Sequence, residues 1–120
     1  MTRLRRLGRR IDPAVVRGAW WTFLAVRRVR RQLRRGSLDS VWIPAPPRLP
    51  ARAGRGVDAV LRRLDPSCLE RSLVLQRWLK STGVARAVII GVTAPGAFRA
   101  HAWLEGENGA GFTEIQRVAP

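Results

Sequence analysis

From Ser67 to Gly83 the chain reads SCLERSLVLQRWLKSTG. On a helical wheel of 100° per residue, Cys68, Ser72, Leu75 and Leu79 fall on one side, with Leu69, Leu73 and Gln76 next to them. Val74 and Trp78 lie on the other side, and Glu70, Arg77 and Lys80 make a polar strip. A helix that is apolar round most of its circumference is stable only when other elements cover it, so this segment predicts the central helix of a small domain. Its ends are written in the sequence. Ser67 followed by Glu70 has the spacing of a capping box, which starts the helix at Cys68, and Gly83 stops it after about Thr82.

The cover has to come from what flanks this helix. Ala85 to Val92 (ARAVIIGV) is apolar and β-branched, the composition of a core strand. Pro95-Gly96 predicts a turn. Phe98 to Leu104 then alternates, with Phe98, Ala100, Ala102 and Leu104 on one face and Arg99, His101 and Trp103 on the other. Gly106 to Gly111 is a loop, and Phe112 to Val118 reads as the last strand. Helices come first and an antiparallel sheet follows, which is an α+β layout.

The N-terminal half is organised differently. Asp12 followed by Pro13 predicts a helix start that runs to about Arg35 before Gly36, with an apolar side that includes Val16, Trp20, Phe23 and Leu24. The aromatic residues Trp20, Trp21 and Phe23 are more than a solvated helix needs, so this helix is expected to pack on the core. Ser37 to Gly56 holds four prolines and reads as an irregular connector with Val41-Trp42-Ile43 as an apolar anchor. A short helix from about Val57 to Leu64 and a turn at Asp65-Pro66-Ser67 complete the path. The expected division is a basic helix and connector over residues 1–56 and a core over residues 57–120.

A formal charge of +15 on 120 residues points first to nucleic acid or an anionic surface. Position weakens that inference. Twelve arginines and one acid fall in the first 35 residues, and the body beyond them is only mildly basic. No helix-turn-helix, zinc-finger or RNA-binding signature accompanies the charge. Paired arginines at 5–6 and 9–10 precede an apolar stretch in the manner of an export signal, but Arg17 interrupts it and no small-residue cleavage pattern follows, so a cytoplasmic protein is expected. The longest apolar run, Ala19 to Val26, is less than half a membrane span.

The chemical inventory is short: one cysteine, one histidine, one lysine and no tyrosine. No disulfide, zinc knuckle or redox pair can be assembled within the chain, and no metal or cofactor is expected. A lone cysteine is usually a small buried hydrophobe. Cys68 differs in position, because the first turn of a helix offers unpaired N–H groups and the positive end of the dipole, both of which favour a sulfur anion and could hold an oxyanion. His101 is the one imidazole that could take its proton, and it lies on the more polar face of its strand beside Arg99 and Trp103. A base needs a third group to orient it, for which Glu105, Glu107, Asn108, Glu114 and Gln116 are the downstream candidates. Spacing does not choose among them.

SCLERSLVLQRWLKSTGVARAVIIGV, a short turn, and FRAHAWLE together closely resemble the transglutaminase-like leader peptidase of lasso peptide biosynthesis, in the form where the protease is separate from its peptide-recognition partner. The resemblance covers about Asp65 to Ile115. It is carried by the cysteine opening a leucine-rich helix with Arg71-Ser72-Leu73, by Gly91-Val92 closing a strand, and by His101-Ala102-Trp103. It implies a papain-like cysteine protease with a Cys-His-acid triad that removes the leader from a ribosomally made precursor. The implied partners are that precursor peptide, a separate small leader-recognition protein and an asparagine-synthetase-like macrocyclase; nucleic acid is not among them.

On this resemblance Cys68 matches the nucleophile and His101 the base. The family's usual aspartate, some twelve residues beyond the histidine, is replaced here by Thr113, with Glu114 next. A one-residue difference in the loop at Gly109, Ala110 and Gly111 brings Glu114 into place as the third member, and Asn108 is the second choice. Trp103 is expected to pack on the central helix, or else to wall a substrate cleft. Two other readings stay open: an arginine-rich nucleic-acid-binding protein, and an inactive scaffold of the same fold.

Overall fold

Asp12 and Pro13 begin the first helix as their order predicts. In the computed structural model, which describes residues 11–93 and 99–120, helix α1 spans Pro13–Arg35 and the Asp12 carboxylate accepts the Ala14 N–H at 3.0 Å. The turn at Pro95-Gly96, the place of Phe98 and the arginine pairs at 5–6 and 9–10 lie outside the described residues. Helix α2 spans Gly54–Leu64 and follows a 3-10 turn at Ala51–Ala53, so it starts three residues earlier than the sequence suggests. Asp65 closes it in the left-handed region, at φ 45°. Helix α3 spans Cys68–Ser81 and has both arms of its capping box, from Ser67 Oγ to the Glu70 N–H and from Glu70 Oε1 to the Ser67 N–H.

The strands are β1 (Val88–Val92), β2 (Ala100–Leu104) and β3 (Thr113–Val118), antiparallel in the order β2-β1-β3. Beta-strand β1 begins at Val88 rather than Ala85 because its ladder partners, Leu104 and Val118, stop there. The backbone just before it is used otherwise, since the Arg86 carbonyl accepts Gln76 Nε2 and the Ala87 carbonyl accepts the Glu105 N–H. The architecture is the expected α+β: helices on one side of a small antiparallel sheet.

One buried cluster unites the two halves of the chain. It runs from Ala14, Trp21, Val26 and Val29 through Val57 and Leu61 to Leu73, Val74, Trp78, Val88, Ala102 and Leu104. Alternation along β2 puts Ala102 and Leu104 into this cluster, as read from the sequence. Gln76, buried in α3, donates to the Arg86 and Val118 carbonyls and so ties the helix to the start of β1 and the end of β3.

The face of α1 that packs is not the one its large apolar residues indicate. Ala14, Gly18, Trp21, Thr22, Ala25, Val26 and Val29 are buried, whereas Val16, Trp20 and Leu24 are 49%, 62% and 47% exposed. Close approach decides this. At the crossing with the segment from Ala51 to Leu64, a Cβ on Gly18 would stand 2.6 Å from the Ala53 carbonyl oxygen, and one on Gly56 would overlap the Val15 carbonyl oxygen. Only small side chains fit between backbones so near, so the bulky ones turn outward.

The connector is irregular, as its prolines require, and is pinned by hydrogen bonds. Gln32 brackets Trp42, accepting its N–H at 2.6 Å and donating to its carbonyl at 2.8 Å, while Trp21 Nε1 donates to the Pro44 carbonyl and Arg77 Nε to that of Ile43. Of the expected anchor only Ile43 is buried; Trp42 is 62% exposed and lies under the Arg28 guanidinium. Among the described residues, no helix is long and apolar enough to cross a membrane.

Candidate active site

The N-terminus of α3 meets the free edge of β2. Strand order makes β2 an outer strand, and in an antiparallel ladder alternate residues direct their backbone groups outward. At Ala102 those groups bond to α3: its N–H donates to Cys68 Sγ at 3.4 Å, and its carbonyl accepts from Ser72 Oγ at 3.4 Å. The sulfur therefore sits against the peptide unit that joins His101 to Ala102. Cys68 is exposed and Ser72 is fully buried one helical turn further on.

The imidazole leaves on the opposite face from α3. His101 is half-buried, stacked on the Trp103 ring with centroids 5.6 Å apart, and it also meets Phe112 at 5.0 Å. Among the described residues its side chain makes no hydrogen bond, to Cys68 or to any acid. Sequence and structure thus bring the sulfur to the backbone of His101, but the ring is turned towards its aromatic neighbours.

Trp103 is buried, but not on the central helix. It stands outside the cluster that holds Leu73, Val74 and Trp78, and its indole lies over Gly91 and beside Phe112. A Cβ at Gly91 would come within 2.7 Å of the Trp103 ring and 3.0 Å of the Thr113 carbonyl oxygen, so only glycine lets the indole lie flat there. The reason is alternation: with Ala102 and Leu104 facing α3, His101 and Trp103 must share the other face.

Gly91 is also the register partner of both His101 and Glu114. The three positions form one row across the sheet, with about 10 Å between the outer two backbones. A bulge between Ile90 and Gly91 interrupts the pairing with β3 at this row. The Glu114 carboxylate is bonded to Arg117, which also reaches Glu105 at 3.1 Å. These two acids hold the guanidinium of Arg117 above the usual arginine range. Asn108 Oδ1 accepts the Ala110 N–H within its own loop, so neither of the two preferred third members bonds the imidazole.

Three further residues shape the site. Ser72 fixes the Ala102 peptide; its signal in the sequence is a lone hydroxyl one turn beyond the cysteine on the same side of an otherwise apolar helix. Glu107 accepts the Leu104 N–H at 2.8 Å and pairs with Arg71 at 3.5 Å, which docks the loop after β2 onto α3. Phe112 backs the imidazole; as the first residue of a strand pattern it carries no such signal. Among the described residues no three His, Cys, Asp or Glu side chains converge as metal ligands.

Chemically the arrangement offers an exposed thiol at a helix N-terminus, a backbone donor on the sulfur, and an imidazole one residue away along the adjoining strand. Comparison with curated proteins and with solved structures gives no match. A family model for the transglutaminase-like superfamily matches residues 4–119. A helix-borne cysteine against a histidine strand, within a match that spans nearly the whole sequence, places this chain in the transglutaminase-like superfamily.

Proposed function

We propose that the protein is a cysteine peptidase that removes the leader from a ribosomally made lasso peptide precursor. The observation that carries this reading is the seating of Cys68 Sγ against the peptide unit following His101, at the open end of α3. His101 turns from the Trp103 ring towards the sulfur and takes its proton. The thiolate then attacks the scissile carbonyl, forming a C–S bond, and unpaired N–H groups of the first turn of α3 hold the oxyanion. His101 protonates the leaving amine as the C–N bond breaks, and water hydrolyses the thioester to release the acid and the thiol.

Glu114 is our choice for the third member. It shares a row with His101 across Gly91, over which the Trp103 ring lies. Trp103 borders the path of the substrate. A separate recognition protein presents the precursor, and an asparagine-synthetase-like cyclase receives the product. The alternative is a scaffold of the same fold without chemistry, which the bond between Glu114 and Arg117 favours.

The test is reconstitution with precursor and recognition protein, followed by mass spectrometry. Cys68→Ala should abolish leader removal, a loss of at least about 10³-fold, with an unchanged melting temperature. Glu114→Gln should lower the rate less. Cleavage at the normal rate by Cys68→Ala, or a Cys68 that alkylates no faster than free thiol, would sink the proposal.

A further inference from the structure

Helix α1 presents a second side that nothing covers among the described residues. On the helical wheel Val16, Trp20, Phe23 and Leu24 lie opposite the buried face, and the same stripe continues with Arg27, Arg31 and Arg34. The stripe is apolar in its first half and cationic in its second. It borders a groove of about 550 Å³ walled by Trp21, Leu24, Ala25 and Pro44 with Arg28 and Gln32 at its rim. That groove shares Arg27 and Arg31 with a neighbouring one of about 420 Å³ whose lining is entirely arginine.

Two of these guanidinium groups, those of Arg27 and Arg28, are held without being neutralised. Arg27 lies over the Phe23 ring at 5.6 Å and Arg28 over Trp42 at 5.0 Å, and Phe23 is itself stacked on Trp20. Arg30, by contrast, is committed to Glu70 and the Leu64 carbonyl. Among the described residues, Arg27, Arg28, Arg31 and Arg35 have no carboxylate within ion-pair distance. Planar donors fixed by stacking beside an apolar groove match a ligand that carries carboxylates and aliphatic or aromatic side chains together.

We propose that this face of α1 docks an acidic protein segment with apolar anchors. The anchors fill the groove between Trp21, Leu24 and Pro44, and carboxylates one to two turns further along pair with Arg27, Arg31 and Arg35. The groove is concave and lined with carbon, which serves a peptide side chain; a phosphate backbone would use the arginines and leave that wall empty, and a bilayer needs a convex apolar face. The inference does not depend on the peptidase reading, because no residue in it belongs to the site at Cys68.

The experiment is isothermal titration of the full chain with a synthetic 18-residue peptide that places leucine and glutamate at helical spacing. The same peptide with lysine for glutamate, a random-sequence duplex DNA and vesicles of mixed neutral and anionic phospholipid serve as comparisons. The acidic peptide should bind saturably, more weakly as salt rises, and in preference to the other three. Leu24→Ser and the double substitution Arg27→Gln, Arg31→Gln should each weaken it by about tenfold or more, with the melting temperature and thiol reactivity of Cys68 unchanged. The absence of saturable binding, equal binding of the lysine peptide, tighter binding of DNA or vesicles, or indifference to both variants would overturn the proposal.

Discussion

Helices α3 and α1 carry similar amounts of apolar side chain and use it in opposite ways. In α3 the apolar residues surround the helix, so Leu73, Val74 and Trp78 are buried together, and Cys68 stands exposed at its N-terminus. In α1 two apolar faces lie back to back. The face that carries Ala14, Gly18 and Ala25 is buried, because backbones can meet only there, and the face with Val16, Trp20 and Leu24 remains in solvent. All-round apolarity dictates burial, whereas a one-sided stripe leaves the choice of side to the size of the residues and the distance of the neighbour.

Truncating one tryptophan on each helix should separate the two most clearly. Trp78→Ala removes a buried indole that also meets Trp21 at 5.8 Å, and should cost about 3–5 kcal/mol in denaturant titration. Trp20→Ala, in the exposed stripe, should stay within about 0.5 kcal/mol. Comparable losses for the two would end the distinction.

Next in size is Gly56→Ala. Its Cβ would overlap the Val15 carbonyl oxygen and approach Ala19 N to 2.8 Å, so α1 and α2 must move apart, at a cost of about 1–3 kcal/mol. A stable, unchanged protein would mean that packing volume, rather than contact between backbones, chooses the buried face.

The smallest effect is at the start of α1. The Arg52 side chain and the Ala14 N–H hold the Asp12 carboxyl below the usual carboxylate range. Its contribution to stability is therefore fully present above the unfolded value, near pH 4, and is lost as pH falls through the lowered folded value. Asp12→Asn keeps a capping side chain but not the charge, so the small gap in melting temperature between it and the parent should narrow as pH falls below the unfolded value and close below the lowered folded one. A gap that persists there would assign the effect to hydrogen bonding alone.

Legibility in the sequence followed the same line between local and non-local causes. The capping box at Ser67 and Glu70, the Asp12 cap and the alternation of β2 are local patterns and read correctly. The start of β1 was not legible, because it depends on where Leu104 and Val118 end their strands. The same is true of the outward turn of Trp20, which depends on Ala53 and Gly56 more than thirty positions away. At the site, Cys68 and His101 stood out as the only residues of their kinds, whereas the seat of the Trp103 indole over Gly91 and the tie between Glu114 and Arg117 were not legible, because they depend on the register and on the bulge at Gly91.

The bonds at Ala102 have a consequence beyond chemistry. An outer strand with free N–H and carbonyl groups invites pairing with another chain. Along β2 those groups are taken by Cys68, Ser72 and Glu107, and the far edge at β3 is guarded by charges at Glu114 and Arg117. The side chains that organise the sulfur also bar the sheet from growing sideways, so a substitution that frees the Ala102 peptide is expected to expose a sticky edge as well as a misplaced nucleophile.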